Sequence, residues 1–324
     1  MNLLRRVARR LLRSNTPRQS PLHVPPSVGS PRIVLIGNCQ TAALQSMLKW
    51  MAPSAEILGA VPVDHVPHNT YEHYAALIDA ADIVLAQTIS EDYPVVWIRQ
   101  SSLKALCGDR LLIIPNVYFS GYTPDMGYIH GNGARHIVQG PMADYHLYPV
   151  VYAYQQGWAP DRATALFSDD AFFTQTYATA AETSLAELKR REATLEVGIA
   201  DFIAEHYRER RLFNSMNHPT AYLLSAMADR ILDHLGVRHY DMREVTQEDY
   251  LSAVVKTPAP AMHRMLELRF NNPPIDRAYD LNPDLTPAFD RIRYYTISEL
   301  VEAFYAIYDR HCDVIRQFPT GIKL

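Results

Sequence analysis

Ile33, Val34, Leu35 and Ile36 form an unbroken apolar run closed by Gly37, and a helical spacing follows at once: Ala43, Leu44, Met47, Leu48 and Met51, stopped by Pro53. A strand that is apolar on both faces must be covered on both, which places it inside a sheet sandwiched between helices. The same alternation continues with a strand near Ile57 to Val63, a helix near Tyr71 to Ala81, a strand Ile83 to Ala86, a helix near Val95 to Leu106 and a strand Leu111 to Ile114. Strands separated by helices predict a parallel sheet. After about residue 140 the strand patterns almost vanish. Leu185, Leu188, Leu195, Ile199, Phe202 and His206 predict one helix of about thirty residues, and Pro219 opens another that runs to Gly236. Helical patterns also fit Glu248 to Val255, Met262 to Phe270 and Ile297 to Phe318, with room for a late strand or two. The predicted fold class is therefore α/β: a parallel-sheet, three-layer N-terminal half followed by a mainly helical C-terminal lobe. The predicted domains are a basic amphipathic arm and Pro/Ser-rich linker over residues 1–31, the parallel α/β core over 32–140, and a helical lobe over 141–324 that completes the active site.

Charge narrows the partners. The net charge of −4 conceals a basic head, because residues 1–55 hold eight Lys or Arg and no acid, leaving 23 basic against 35 acidic residues in the remainder. An acidic body argues against a nucleic-acid partner, which needs clustered cations on the folded face. Arg5, Arg6, Arg9, Arg10 and Arg13 alternate with Leu4, Val7, Leu11 and Leu12 in a short basic amphipathic segment, and Ser14 to Pro31 read as a linker. Peripheral contact of residues 1–13 with anionic lipid, a solvated arm and an Arg-rich transit peptide all fit this composition. No apolar run approaches the roughly 18 residues of a membrane span. Three scattered cysteines, Cys39, Cys107 and Cys312, make neither a disulfide framework nor a CxxC zinc site, so a reducing cytoplasm is expected. Asp64, His65 and His68 have metal-like composition without ligand spacing, and no metal is predicted. Neither a GxGxxG nor a GxxxxGK[ST] loop is present, so dinucleotide and P-loop chemistry are unsupported.

The candidate chemistry lies at strand ends. Gly37-Asn38-Cys39-Gln40 turns the first strand into the first helix, where ligands of open α/β sheets bind and where helix N–H groups favour an anion. Cys39 there is either a nucleophile whose thiolate the helix start stabilises or a small core residue. Gln40, with Gln87 or Asn116, is a candidate oxyanion donor. Proline favours the first helical position, so Asn217-His218-Pro219 predicts His218 as a helix cap and a neutral base, with a merely structural cap as the alternative. The aromatic loop Asn116 to Asp125, with Tyr118, Gly121 and Tyr122, suits a ligand wall or a packed lid.

Together these pieces resemble the WcbI-type family of polysaccharide biosynthesis acetyltransferases. The resemblance covers Arg32 to Gly236 and rests on Gly37 to Gln40, Asn217 to Pro219 and the Asn116 to Asp125 loop. It implies an enzyme, an O-acetyltransferase that uses acetyl-CoA to acetylate a sugar hydroxyl in capsular or surface polysaccharide biosynthesis, with coenzyme A as substrate and no metal. Cys39, His218 and Gln40 would be catalytic, while Asn38, Gln87, Asn116, Tyr118, Gly121, Tyr122 and Asn217 would line the oxyanion and substrate sites. Arg208 and Arg211 would hold the coenzyme A phosphates. A more distant similarity to SGNH esterases expects an Asp three residues before the histidine, where this chain has Ser215. An SGNH-like esterase or deacetylase using water, or a glycan-binding peripheral membrane protein without catalysis, are the alternatives.

Overall fold

The computed structural model describes residues 30–66, 71–129, 138–243, 245 and 249–323. The basic arm and most of the linker, with His68, lie outside these residues. The chain first runs β1 (Arg32–Gly37), α1 (Cys39–Met51), β2 (Glu56–Pro62), α2 (Tyr71–Ala80), β3 (Ile83–Gln87), α3 (Gln100–Cys107) and β4 (Leu111–Ile114). It continues with β5 (Met126–Tyr128), β6 (Tyr145–Leu147), α4 (Tyr148–Gln155), α5 (Pro160–Ala165), α6 (Asp170–Tyr177), α7 (Ala180–Glu192) and α8 (Ala200–His206). Then come β7 (Phe213–Ser215), β8 (His218–Pro219), α9 (Ala221–His234), α10 (Pro260–Met265), β9 (Asp276–Leu281), β10 (Pro287–Tyr295), α11 (Ile297–Arg310) and α12 (Cys312–Gln317).

Two compact units divide this chain. The first takes the residues up to Val117 together with Leu188–Ile203 and Pro219–Tyr250, and the second takes Tyr118–Glu187, Ala204–His218 and Leu251 onward. The expected boundary near residue 140 is a change in secondary-structure content, whereas the units are interleaved along the chain.

The first unit is an α/β layer structure on an all-parallel sheet of order β2-β1-β3-β4. Val34 and Ile36 pack with Val61, Val84, Ile98 and Leu103 on one face. Ile33 and Leu35 are equally buried and point the other way, because side chains alternate along a strand. Both faces are covered, as the apolar run requires. The order reverses between β1 and β3, since β2 lies to one side of β1 and β4 beyond β3. That reversal makes the carboxyl ends of β1 and β3 the topological switch point, the usual place for a ligand in such sheets.

The second unit is mainly helical, with the antiparallel pairs β5-β6 and β9-β10. In both units the predicted helices are shorter than their apolar spacing suggests. The thirty-residue helix is two, α7 and α8, because the Glu192 carboxylate accepts the N–H groups of Ile199 and Ala200 and starts a new helix. The helix expected over Ile297 to Phe318 ends at Arg310 and restarts at Cys312. Residues 249–255 form turns, not the predicted helix, and α10 spans only six residues.

Candidate functional site

In the first unit, the turn after β1 is built by close approach and amide bonding. A Cβ at Gly37 would collide with Gln87 Oε1 and Thr41 Cγ2, so glycine is what lets Gln87 reach across from β3. Asn38 caps α1, its Oδ1 accepting the Gln40 N–H at 3.0 Å. Its own N–H donates to Gln87 Oε1 at 2.8 Å. Gln87 Nε2 donates to Gln40 Oε1 at 3.0 Å, which also accepts the Val117 N–H at 3.1 Å, while Gln40 Nε2 donates to Val117 O at 2.7 Å. Asn116 Nδ2 donates to Thr88 O at 2.8 Å. The three amides expected to meet an oxyanion thus brace the ends of β1, β3 and β4 against one another. Gln40 and Gln87 are both 3% exposed, so this bracing is internal.

Cys39 stands exposed at the first position of α1. Hydrogen bonds from the main-chain N–H groups of Cys39 and Gln40 favour its thiolate, as the helix start predicts. They lose to larger effects: the atoms packed around the sulfur cost the thiolate hydration, and the Asp64 carboxylate repels it, so the thiol is raised above its ordinary range. The expected activated, low-pKa thiol is therefore corrected. The sheet explains why Asp64 acts here. Gly37 pairs with Pro62 in the parallel β1-β2 register, so Cys39 and Asp64 both lie two residues beyond the paired strand ends.

In the second unit, the aromatic loop is largely core. Phe119 and Tyr122 are at most 2% exposed, and Phe119 meets Tyr122, Tyr207 and Phe213 at ring distances of 5.1–5.7 Å. Tyr122 OH donates to the carbonyls of Tyr207 and Arg210, and burial raises its pKa far above the ordinary value. A Cβ at Gly121 would strike the Phe119 ring. The ligand-wall reading of Gly121 and Tyr122 is corrected to packing. Tyr118 is half-buried and donates to Met216 Sδ at 3.1 Å.

His218 does not cap a helix. It lies in β8, while Thr220 takes the cap of α9 and the Asp249 carboxylate accepts the Ala221 N–H. Pro219 belongs to the short strand, which displaces the start by two residues. Burial, not a helix dipole, lowers the imidazole to about 4, so His218 is neutral near pH 7 as expected but for a different reason. Its Nδ1 has no hydrogen-bond partner among the described residues, and its ring meets the Tyr145 ring edge-on at 5.9 Å. Asn217 beside it is fixed at both ends: its Oδ1 accepts Tyr145 OH at 2.6 Å and Ser215 Oγ at 3.3 Å, and its Nδ2 donates to Tyr128 OH at 3.3 Å. Ser215 therefore orients Asn217. The proposed phosphate ligands are engaged with main chain: Arg208 Nε donates to Leu266 O, and Arg211 donates to Phe213 O and Lys256 O.

The structure adds residues that sequence patterns did not single out. Asp125 is fully buried, and neither carboxylate oxygen has a partner among the described residues. Lys256 and Asp276 form a buried ion pair at 3.2 Å. Asp125 closes the Gly-Tyr-x-Pro-Asp stretch and could have been flagged there, whereas Lys256 and Asp276 carry no motif. Among the described residues no group of three or more His, Cys, Asp or Glu is placed to hold a metal, and no helix is long and apolar enough to cross a membrane.

Comparison with known proteins agrees with this architecture. A solved structure described as WcbI, a novel polysaccharide biosynthesis enzyme, in its native form without a disulfide bond between coenzyme A and a cysteine, shares the fold. It superposes with a TM-score of 0.65 at 19% identity, covering 90% of this chain and 92% of its own. A search of curated proteins finds no match. The family described as "Polysaccharide biosynthesis enzyme WcbI" matches residues 32–239, from the first residue of β1 to past the end of α9, and the chain belongs to that family of polysaccharide biosynthesis enzymes.

Proposed function

We propose that the protein is a coenzyme A-dependent O-acetyltransferase that acetylates a sugar hydroxyl of a surface polysaccharide precursor in the cytoplasm. The observation that carries this reading is Cys39: an exposed residue at the first position of α1, at the switch point of a parallel sheet. The structural neighbour is described as lacking a disulfide bond between coenzyme A and a cysteine, and a coenzyme A thioester is the donor proposed to meet Cys39 here. In the proposed reaction the Cys39 sulfur attacks the acetyl carbonyl carbon, the carbon–sulfur bond to coenzyme A breaks, and the departing thiolate takes up the Cys39 proton. A sugar hydroxyl then attacks the acetyl carbonyl carbon, the carbon–sulfur bond to Cys39 breaks, and the hydroxyl proton passes to the departing thiolate; His218 is the base proposed for this step. Thioester exchange is nearly neutral in energy and formation of the oxygen ester is downhill, so a cysteine can pass the group on. Asn38, Gln40 and Gln87 hold the turn that presents the thiol, and Asn217 fixes the main chain next to the base.

Acetyl-CoA supplied without acceptor tests this directly: one acetyl group should appear on Cys39 by peptide mass spectrometry and disappear on adding a sugar acceptor. Coenzyme A should also raise the melting temperature. Hydrolysis of acetylated sugars with no effect of coenzyme A would replace this reading with an esterase, and neither activity would leave a glycan-binding protein.

A further inference from the structure

A helix start at the edge of a parallel sheet usually attracts anions, because its first N–H groups lack partners within the helix. At Cys39 those groups are already used inside the first unit. The Asn38 N–H donates to Gln87 Oε1 at 2.8 Å, the Gln40 N–H to Asn38 Oδ1 at 3.0 Å, and the Thr41 N–H to Asn38 O at 3.0 Å. A phosphate or carboxylate arriving here competes with three acceptors that the fold itself supplies.

The side chains of the same sheet edge add negative charge. Asp64 is exposed, and because Gly37 pairs with Pro62, Asp64 and Cys39 stand two residues past the paired ends of neighbouring strands. Such strands lie about 4.8 Å apart. The field of this carboxylate reaches the sulfur, since it helps to raise the Cys39 thiol. Between β3 and α3 the exposed Glu91 and Asp92 add two more carboxylates. Arg99 is the one Lys or Arg in the loops that join β1, β2 and β3 to the helices after them, and its Nε is bonded to Tyr93 O at 2.8 Å. Coenzyme A is compatible with such an edge, because its thioester sits at the end of an uncharged pantetheine arm, away from the phosphates.

We propose that Asp64 is a specificity-determining residue that keeps anionic rings from Cys39, so that the sugar accepting the acetyl group is uncharged and is neither a uronic acid nor a sugar phosphate. A ring carboxylate or phosphate brought to the acetyl group would lie beside a like charge with no helix N–H or lysine to offset it. The identity of the acceptor rests on the acetyl-transfer reading, whereas charge selection at Cys39 does not.

A matched pair of alkylating agents tests the selection: neutral iodoacetamide and anionic iodoacetate, with labelling of Cys39 in the full chain followed by peptide mass spectrometry and N-acetylcysteinamide as the reference thiol. Taking the ratio of the two rates at one pH cancels the thiolate fraction. The iodoacetate-to-iodoacetamide ratio should be about tenfold lower at Cys39 than at the reference thiol, and it should rise towards the reference in Asp64→Asn and in roughly 0.5 M salt. Asp64→Ser provides a second uncharged variant should the amide disturb the turn. Acetyl-Cys39, once formed, should be discharged faster by methyl glucoside than by methyl glucuronide, whose ring carries a carboxylate in place of the hydroxymethyl group. A wild-type ratio equal to or above the reference, a lowered ratio that neither substitution restores, or faster discharge by the glucuronide would overturn the proposal. Absence of acetyl-Cys39 would instead remove the acetyl-transfer reading, with the alkylation ratio still deciding whether Asp64 excludes anions.

Discussion

Replacing Asp125 by Asn should make the protein's stability less sensitive to pH between 4 and 6. Asp125 is 0% exposed, and both carboxylate oxygens lack partners among the described residues. Burial is the largest influence and raises its pKa from 3.8 to about 6, with Lys256 opposing and Asp276 adding to the rise. The folded state therefore holds this proton more tightly than the unfolded chain. Below pH 3.8 both states are protonated and nothing is lost; as pH climbs towards 6 the unfolded chain releases a proton that the folded one keeps, so stability falls. The interval is worth about 3 kcal/mol at 1.36 kcal/mol per pH unit, and the cost stays constant above it. Asn has nearly the same shape and cannot ionise. At pH 4 Asp125→Asn should be equal to wild type or weaker by about 1–3 kcal/mol, the expense of burying an amide NH2. Between pH 4 and 7 the variant should gain about 2.4 kcal/mol relative to wild type, which urea unfolding at a series of pH values would measure. Taking the difference cancels every other titrating group, including the two depressed histidines His146 and His218. A difference independent of pH would refute the reasoning and place an unseen partner on Asp125.

Iodoacetamide should label Cys39 only above the pH of an ordinary thiol, and Asp64→Asn should move that profile to lower pH by removing one of the two effects that raise it. Preferential labelling of Cys107, which is 4% exposed, would count against the placement of Cys39. Gly37→Ala should cost about 1–3 kcal/mol by expelling Gln87 from its bonds to Asn38 and Gln40, and the cost should shrink, though not to zero because Thr41 Cγ2 stays in the way, in a Gln87→Ala background. Additive losses in thermal melts would show that the brace is not the reason for glycine. His218→Ala should lower turnover about 10²-fold or more with coenzyme A affinity little changed, and wild-type kcat/KM should persist on acidification to well below pH 6.5, since burial holds this imidazole at about 4. An activity limb near pH 6.5 would exclude His218 as the base.

The sheet was legible because its signal is local. A continuous apolar run has one interpretation in a chain of this length, and β1 to β4 appear where Ile33 to Ile36, Ile57 to Val63, Ile83 to Ala86 and Leu111 to Ile114 put them, within a residue or two. Helix boundaries were not, because apolar spacing continues through a cap. Nothing in the spacing of Leu188, Leu195 and Ile199 reveals that the Glu192 carboxylate folds back onto the N–H groups of Ile199 and Ala200. The same limit applies to His218. A proline after it resembles a helix start, but Pro219 stays in a two-residue strand and the Asp249 side chain complements the helix from far along the chain. Positions at strand ends were likewise readable, whereas partners were not: Gln40 and Gln87 were found by place, and only the fold shows that they bond each other and the Val117 main chain.

Burial acts on Cys39 and His218, the two residues proposed to carry the chemistry, in opposite numerical directions and with the same chemical result. It raises the thiol of Cys39 and lowers the imidazole of His218, and in each case the uncharged form gains. At neutral pH neither residue carries a resting charge. Asp64 strengthens this on the thiol side, since a carboxylate two residues past the paired end of β2 further disfavours a thiolate two residues past the paired end of β1. A neutral thiol is protected from oxidation and from adventitious alkylation, because the thiolate is the reactive species. It must then be ionised in the act of reaction, and a thioester donor suits that requirement: it releases one thiolate for the thiolate it consumes, and the released coenzyme A thiolate takes up the Cys39 proton, so proton and acetyl group exchange places without a charged resting state. An oxygen ester donor offers no such match, which is the physical reason to favour a thioester over an ester as the substrate that meets Cys39.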